Sequence, residues 1–262
     1  MSDAKLSGNQ KSGTLYGIGV GPGDPELLTL KAHRILTSAK VVAYPAPDDG
    51  ASFARSIVEQ FLKPEQVEIP IIIPMRVERF PAQEVYDRAS EEIGTYLKNG
   101  EDVVVLCEGD PFFYGSFMYL FERLYENHNI EIVPGVSSVM AGAAALQRPL
   151  AARNDVLSII PGPSRDEVML AQLEACQAAV IMKVGRHFDR IRKNIEQSGL
   201  LRNAAYLERV TLDSQKVMPL ESVEAGKAPY FSLIIIYKGA ENWVANQTIP
   251  EQFGIALKDK SE

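Results

Sequence analysis

Cysteine is scarce in this chain of 262 residues: Cys107 and Cys176 stand far apart with no CxxC pair, which excludes a disulfide framework and a thiolate metal site. Both read as small buried hydrophobes. Histidine is nearly as rare, and His33, His128 and His187 lack the short spacings of metal ligands, so no metal is expected. Long apolar runs are missing too. Segments such as VVVLC and SLIII fall far short of the roughly 20 residues that span a bilayer, so no membrane partner is expected. The opening stretch MSDAKLSGNQKSG is polar and has no apolar core of a secretory signal, which makes a cytoplasmic protein the expectation. Basic excess is also absent. A net charge of −7 argues against broad nucleic-acid binding and leaves any anionic ligand dependent on a local cluster of arginines.

What is present is an ordinary globular composition, 46 % apolar and 23 % charged. Strand-like runs (TLYGIGV, VVAYPA, VEIPIII, DVVVLC, IEIVPG) alternate with helix-like segments (PELLTLKAHRILTSA, SFARSIVEQFLK, AQEVYDRASEEIGTYLKNG, PFFYGSFMYLFERLYE). A second series follows from VLSIIPG to YFSLIIIYKG, interrupted by the polar loop TLDSQKVMPLESVEAGK. The pattern predicts an α/β fold of two sequential domains, each a mainly parallel or mixed sheet flanked by helices. The expected divisions are a disordered tail over 1–13, an N-terminal domain over 14–134, a C-terminal domain over 135–245 and a tail over 246–262.

Gly-Asp-Pro occurs twice, at Gly23-Asp24-Pro25 and Gly109-Asp110-Pro111, each time after a strand-like run. Asp before Pro is the arrangement of an N-cap carboxylate with proline at the first helical position, so both aspartates are expected to start helices. The turns then lie at the carboxyl edge of the sheet, where open α/β folds bind ligands; as single copies they serve equally well as plain helix starts. The spacing Gly17, Gly19, Gly21, Gly23 puts Pro22 where a dinucleotide fingerprint needs glycine, and no GxxxxGK[ST] loop is present. Carboxylates at the helix starts also oppose phosphate. The second strand ends in Tyr44 and Pro45, without the ribose-binding acid of the commonest methyltransferase sheet. S-adenosylmethionine fits better, being phosphate-free, cationic at sulfur and dependent on close backbone approach. A third turn, VPGVSSVMAGAAA, offers Ser137 and Ser138 before a helix of small residues, which suits either ligand contact or tight helix packing.

In this order GIGVGPGDPELLTLKAHRIL, EGDPFFYGSFMYL and VPGVSSVMAGAAA resemble the tetrapyrrole methyltransferases. GDPFFYGSFMYLFERL, RPLAARNDVLSIIPG and VIMKVGRHFDRIR look like its precorrin-2 C(20)-methyltransferase branch of cobalamin synthesis, and the likeness runs from residue 14 to about 239. The resemblance implies a two-domain homodimer that binds S-adenosylmethionine, folded, between the domains. The cofactor contacts it implies fall on Pro22, Glu108, Gly109, Asp110, Phe113, Ser137 and Ser138, and, from the second domain, on Met182, Val210 and Leu233. Glu108 and Val210 depart from the glycine common in sister enzymes. Read without the resemblance, Met182 and Leu233 are buried-strand core residues.

Methyl transfer from a sulfonium to a nucleophilic meso carbon asks chiefly for positioning, which accounts for the lack of any triad or carboxylate pair. Tyr114, expected one helical turn after Asp110, is the candidate for orienting substrate or relaying a proton, with an ordinary helix tyrosine as the plainer reading. Asp110 is the other candidate, with capping alone as its plainer role. The substrate of this branch carries eight carboxylates, and Arg76, Arg79, Arg148 and Arg153 are the candidate guanidinium partners. Other readings stay open: cobalt-factor II, a different ring position or a modified protein histidine as acceptor, or a non-catalytic tetrapyrrole carrier.

Overall fold

Short runs of Val, Ile and Leu bounded by Gly, Pro or Asp become the strands of this chain. In the computed structural model, which describes residues 12–73, 80–226 and 228–254, the chain divides into two compact units, one ending at Ser137 and the other beginning at Ser138. The first holds β1 (Thr14–Gly19), β2 (Val41–Pro47), β3 (Val67–Ile73), β4 (Val103–Cys107) and β5 (Asn129–Val133). Their order is β3-β2-β4-β1-β5, and every pairing is parallel. The ends at Gly19, Cys107 and Val133 therefore share one edge, with β1 in the middle.

Alternation of side chains builds two apolar layers on this sheet. Val103, Val105 and Cys107 of β4 pack under α3 (Phe80–Lys98) and α4 (Phe117–Leu124), whereas Val104 and Leu106 face α1 (Leu30–Ser38) and α2 (Phe53–Val58). The connections that leave β1 and β4 thus depart over opposite faces. Such a change of side is where open parallel sheets place their ligands.

Two predicted helices start later than the pattern suggests. Asp24 does accept a hydrogen bond from Glu26 N–H at 2.8 Å, but it caps only a 3-10 turn over Pro25–Leu27. Thr29 then competes as a second N-cap, its hydroxyl accepting from Ala32 N–H, and α1 begins after it. The segment after Asp110 is turn until Phe117, because the Asp110 carboxylate serves that turn and a neighbouring loop instead of a helix start. Gly100, the expected C-terminal cap of α3, is at φ +81° with its N–H on Leu97 O.

The second unit holds β6 (Leu157–Pro161), β7 (Ala178–Met182), β8 (Ala204–Glu208), β9 (Lys216–Pro219), β10 (Ser232–Tyr237) and β11 (Gln252–Phe253) in the order β11-β9-β8-β10-β7-β6. Only β6 and β7 run parallel; the remaining pairs are antiparallel. β9 and β11 come from segments the sequence pattern assigns to a polar loop and a C-terminal tail. Their mixed polarity suits the edge of a sheet, where one flank stays wet. Helices α6 (Asp166–Ala175) and α7 (Phe188–Gln197) bury Met169, Leu173, Phe188 and Ile191 on one face. On the other, Gly142 of α5 (Ser138–Leu146) lets that small-residue helix settle onto Leu207, Leu233 and Ile235. A short α8 (Asn242–Ala245) buries Val244 beside Tyr237. Among the described residues no helix is long and apolar enough to cross a membrane.

Candidate active site at the carboxyl edge of the first sheet

The turns that follow β1, β4 and β5 are stitched together by backbone. Val20 N–H donates to Cys107 O at 2.9 Å, and Gly21 and Gly109 exchange hydrogen bonds at 3.3 and 2.8 Å. Gly21 and Gly109 sit at φ +80° and +65°, a region that costs a side-chain-bearing residue roughly 1–2 kcal/mol. Gly109 O lies in a hollow walled by Gly19 and Gly135, so that a Cβ on either would overlap it. Asp110 completes the junction: Oδ1 accepts from Phe112 N–H at 2.9 Å and Oδ2 accepts from Gly135 N–H at 3.0 Å. Three loops from separate parts of the sequence thereby form one surface.

Of the sequence-predicted cofactor residues, Glu108, Gly109 and Asp110 lie in the second turn. Pro22 follows Gly21 in the first, and Ser137 sits beside Gly109 in the third. Phe113 packs its ring against Tyr114, centroids 5.1 Å apart and nearly perpendicular. Ser138 opens α5 and belongs to the second unit. Tyr114 is not on a helix as predicted; it lies in the turn before α4 at φ +57°, and its side chain is half exposed. A non-glycine residue held in this region is characteristic of sites where the surroundings over-determine the backbone. Burial pushes the Cys107 thiol well above its usual range.

Glu108 is half-buried, and burial pushes its carboxyl above the usual range, while the hydrogen bond from Ala54 N–H pulls it back down. The side chain thus reaches the first turn of α2, whose other cap is Ser52 Oγ, accepting from Arg55 N–H at 3.2 Å. This link and the Asp110–Gly135 bond escape sequence reading, because both partners are far away in the chain and nothing local announces them.

In the second unit, Met182 and Leu233 are direct register partners across β7 and β10. Leu233 and Val210 are only 4 % and 5 % exposed, so their side chains are core and a ligand could meet only their backbone. Lys183, Arg209 and Thr211, flanking these positions, all have positive φ. The arginine candidates separate. Arg148 is 4 % exposed and donates to Asn203 O and Ile235 O at 3.4 Å, while its Nε finds no acceptor among the described residues. Burial lowers its pKa from the usual value. It is part of the interior, and the expected contact with a solvent-side polyacid does not suit it. Arg153 is exposed and pairs with Glu241 at 2.8 Å. Arg76 and Arg79 lie outside the described residues. No group of three metal-ligating side chains converges among the described residues.

A parallel, doubly wound sheet with glycine-lined turns at its carboxyl edge is followed in the chain by a mixed sheet. Residues 14–224 match the Tetrapyrrole (Corrin/Porphyrin) Methylases, and the chain belongs to that family. It is similar to cobalamin biosynthesis protein CobIJ of Mycobacterium tuberculosis, 41 % identical over 90 % of this chain and 48 % of the relative. The chain thus spans about half the length of that protein. It is similar also to precorrin-2 C(20)-methyltransferase of a Sinorhizobium species, 38 % identical over 86 % of this chain and 95 % of the relative. The crystal structure of the methyltransferase CobJ shares the fold, with a TM-score of 0.66 at 20 % identity, covering 87 % of this chain and 95 % of that one.

An acid whose pKa is raised on folding binds its proton more tightly folded than unfolded. Its favourable contribution is therefore present at low pH and is lost as pH rises through the raised folded value. Glu108→Gln, which stays neutral and keeps an oxygen for Ala54 N–H, is expected to melt above the parent near neutral pH, with the gap closing in mild acid. Thermal melts across that range check this; a Gln variant less stable at neutral pH would show that the charged carboxylate is favourable where it stands.

Proposed function

We propose that the chain is an S-adenosylmethionine-dependent methyltransferase that methylates precorrin-2 at meso carbon 20, giving precorrin-3A in cobalamin biosynthesis. Two things support this reading: family membership with a near full-length C(20)-methyltransferase relative, and the junction of three glycine turns at the carboxyl edge of the first sheet. The junction is the single observation that carries it. Its carboxylates discourage phosphate, its glycines permit close backbone approach, and a phosphate-free nucleoside fits both. When bound, S-adenosylmethionine supplies an electrophilic methyl group.

The work of the chain itself is to position and to exclude water. Pro22, Glu108, Gly109, Asp110, Phe113 and Ser137 are the proposed donor contacts of the first unit, and Ser138, Met182, Val210 and Leu233 those of the second. Fixing donor and acceptor in line can supply roughly 7–11 kcal/mol of barrier reduction. Asp110 acts by holding two turns in place. The Tyr114 hydroxyl is proposed to orient the ring or pass on the proton that the meso carbon gives up. Arg153, with Arg76 and Arg79, is proposed to meet substrate carboxylates. A homodimer in the cytoplasm is the proposed working form.

Methyl incorporation into metal-free and cobalt-loaded dihydrotetrapyrroles tests the reaction: turnover of the metal-free ring is expected, preference for the cobalt form would move the chain to the anaerobic route, and turnover of neither would remove both. Gly109→Val puts a β-branched side chain at φ +65° and should cut S-adenosylhomocysteine affinity by about tenfold or more in calorimetry; retained affinity would displace the site. Tyr114→Phe should lower kcat by about 100-fold with S-adenosylhomocysteine affinity intact, and an unchanged kcat would strike Tyr114 from the chemistry.

A further inference from the structure

β7 and β8 both run antiparallel to β10, and β9 runs antiparallel to β8. One edge of the second sheet therefore gathers the ends of β7 and β8 and the starts of β9 and β10. At this edge Glu208 is buried, its side chain 8 % exposed, and it accepts from Tyr206 OH at 2.9 Å and from Lys216 Nζ at 3.0 Å. Arg209 Nη1 approaches the same carboxylate at 3.4 Å. One carboxylate thus holds two cations, in a turn that also carries Asp213. Both cations keep close to half their side chains in water, 42 % and 43 % exposed, with donors to spare.

Aromatic surface adjoins them. Arg209 N–H donates to Phe231 O at 2.8 Å, which ties the guanidinium-bearing turn to the Tyr230-Phe231 pair. The two rings meet edge to face at 5.0 Å, and they are 61 % and 37 % exposed. Exposed aromatics on a segment hydrogen-bonded to the turn that carries a pre-held cation suit a flat apolar ring rimmed with carboxylates. The rings offer faces and edges to the macrocycle, and the cations offer charge-assisted hydrogen bonds to its periphery. Because Glu208 restrains both cations, less rotamer freedom is lost when an anion binds. Arg209 and Thr211, at φ +50° and +71°, show that this turn is held in a costly shape rather than relaxed.

We propose that Arg209, Lys216, Tyr230 and Phe231 form a binding subsite for the polycarboxylated macrocycle, outside the arginines at which the sequence points. The proposal rests on the reading of the chain as a tetrapyrrole methyltransferase and adds the recognition surface to it. Uroporphyrin, a stable ring with eight carboxylates, is the probe, followed by its absorbance on titration into the full chain, with S-adenosylhomocysteine calorimetry alongside. The double variant Tyr230→Ala/Phe231→Ala and the single variant Arg209→Gln should each lose about tenfold in uroporphyrin affinity while S-adenosylhomocysteine affinity stays within about twofold. Arg209→Lys should recover part of the loss, and Arg209→Gln should bind with a shallower salt dependence than the parent. Unchanged uroporphyrin affinity in both variants overturns the subsite, as does an equal loss of S-adenosylhomocysteine affinity, which would give this edge to the donor. A parent chain that binds neither probe would sink the enzymatic reading itself, a result distinct from a parent that binds both while the variants match it.

Discussion

The Asp110 carboxylate is the constraint on which the candidate site depends. One oxygen closes its own turn through Phe112 N–H and the other reaches across to Gly135 N–H, so two loops 25 residues apart acquire a fixed relation. Hydrogen bonds to a charged acceptor contribute about 1.5–3 kcal/mol each. The glycines around it are there because backbone must pass backbone: Gly109 O fills the hollow between Gly19 and Gly135, and side chains there would force the loops apart. Seen this way, the recurrence of Gly-Asp-Pro is two different solutions in one spelling. Asp24 caps a 3-10 turn through Glu26 N–H; Asp110 gives up helix capping to join loops.

This difference shows where the sequence was readable. Strand runs of β-branched residues and the glycine after Asn99 fix elements through local chemistry, and the parallel first sheet follows from their alternation with helices. Helix starts were less readable, since Thr29 and Asp24 compete as caps within a few residues and only packing decides between them. β9 and β11 carry no apolar run, and their pairing is a property of the sheet edge they join. For the site, Gly109, Asp110 and Ser137 were legible as turn residues, but the bond from Asp110 to Gly135 and the hydrogen bond from Ala54 to Glu108 were not. Arg148 misled in the opposite direction: composition marks every arginine as a surface candidate, whereas this one lies within its unit on backbone carbonyls.

Strained backbone offers a second kind of signal, invisible in sequence. Tyr114 in the first unit, and Lys183, Arg209 and Thr211 in the second, are side-chain-bearing residues in the left-handed region, and each follows a strand end. Roughly 1–2 kcal/mol per residue is a cost that a relaxed loop avoids by using glycine. The turns at these strand ends are therefore held under strain, with the regular sheets behind them supplying the rigidity.

Charge completes the argument. A chain of net charge −7 repels a polyacid at long range, but at physiological ionic strength that repulsion fades beyond about 8 Å. Recognition of a polycarboxylate then depends on groups within contact distance. Isolated surface lysines and arginines are poor tools for this, because ordering them costs side-chain entropy at the moment of binding. A cation already leaning on a buried carboxylate has met much of that cost during folding. Glu208, enclosed and bonded to Tyr206, does this for Arg209 and Lys216, so an acidic protein can present pre-held cations without a basic composition.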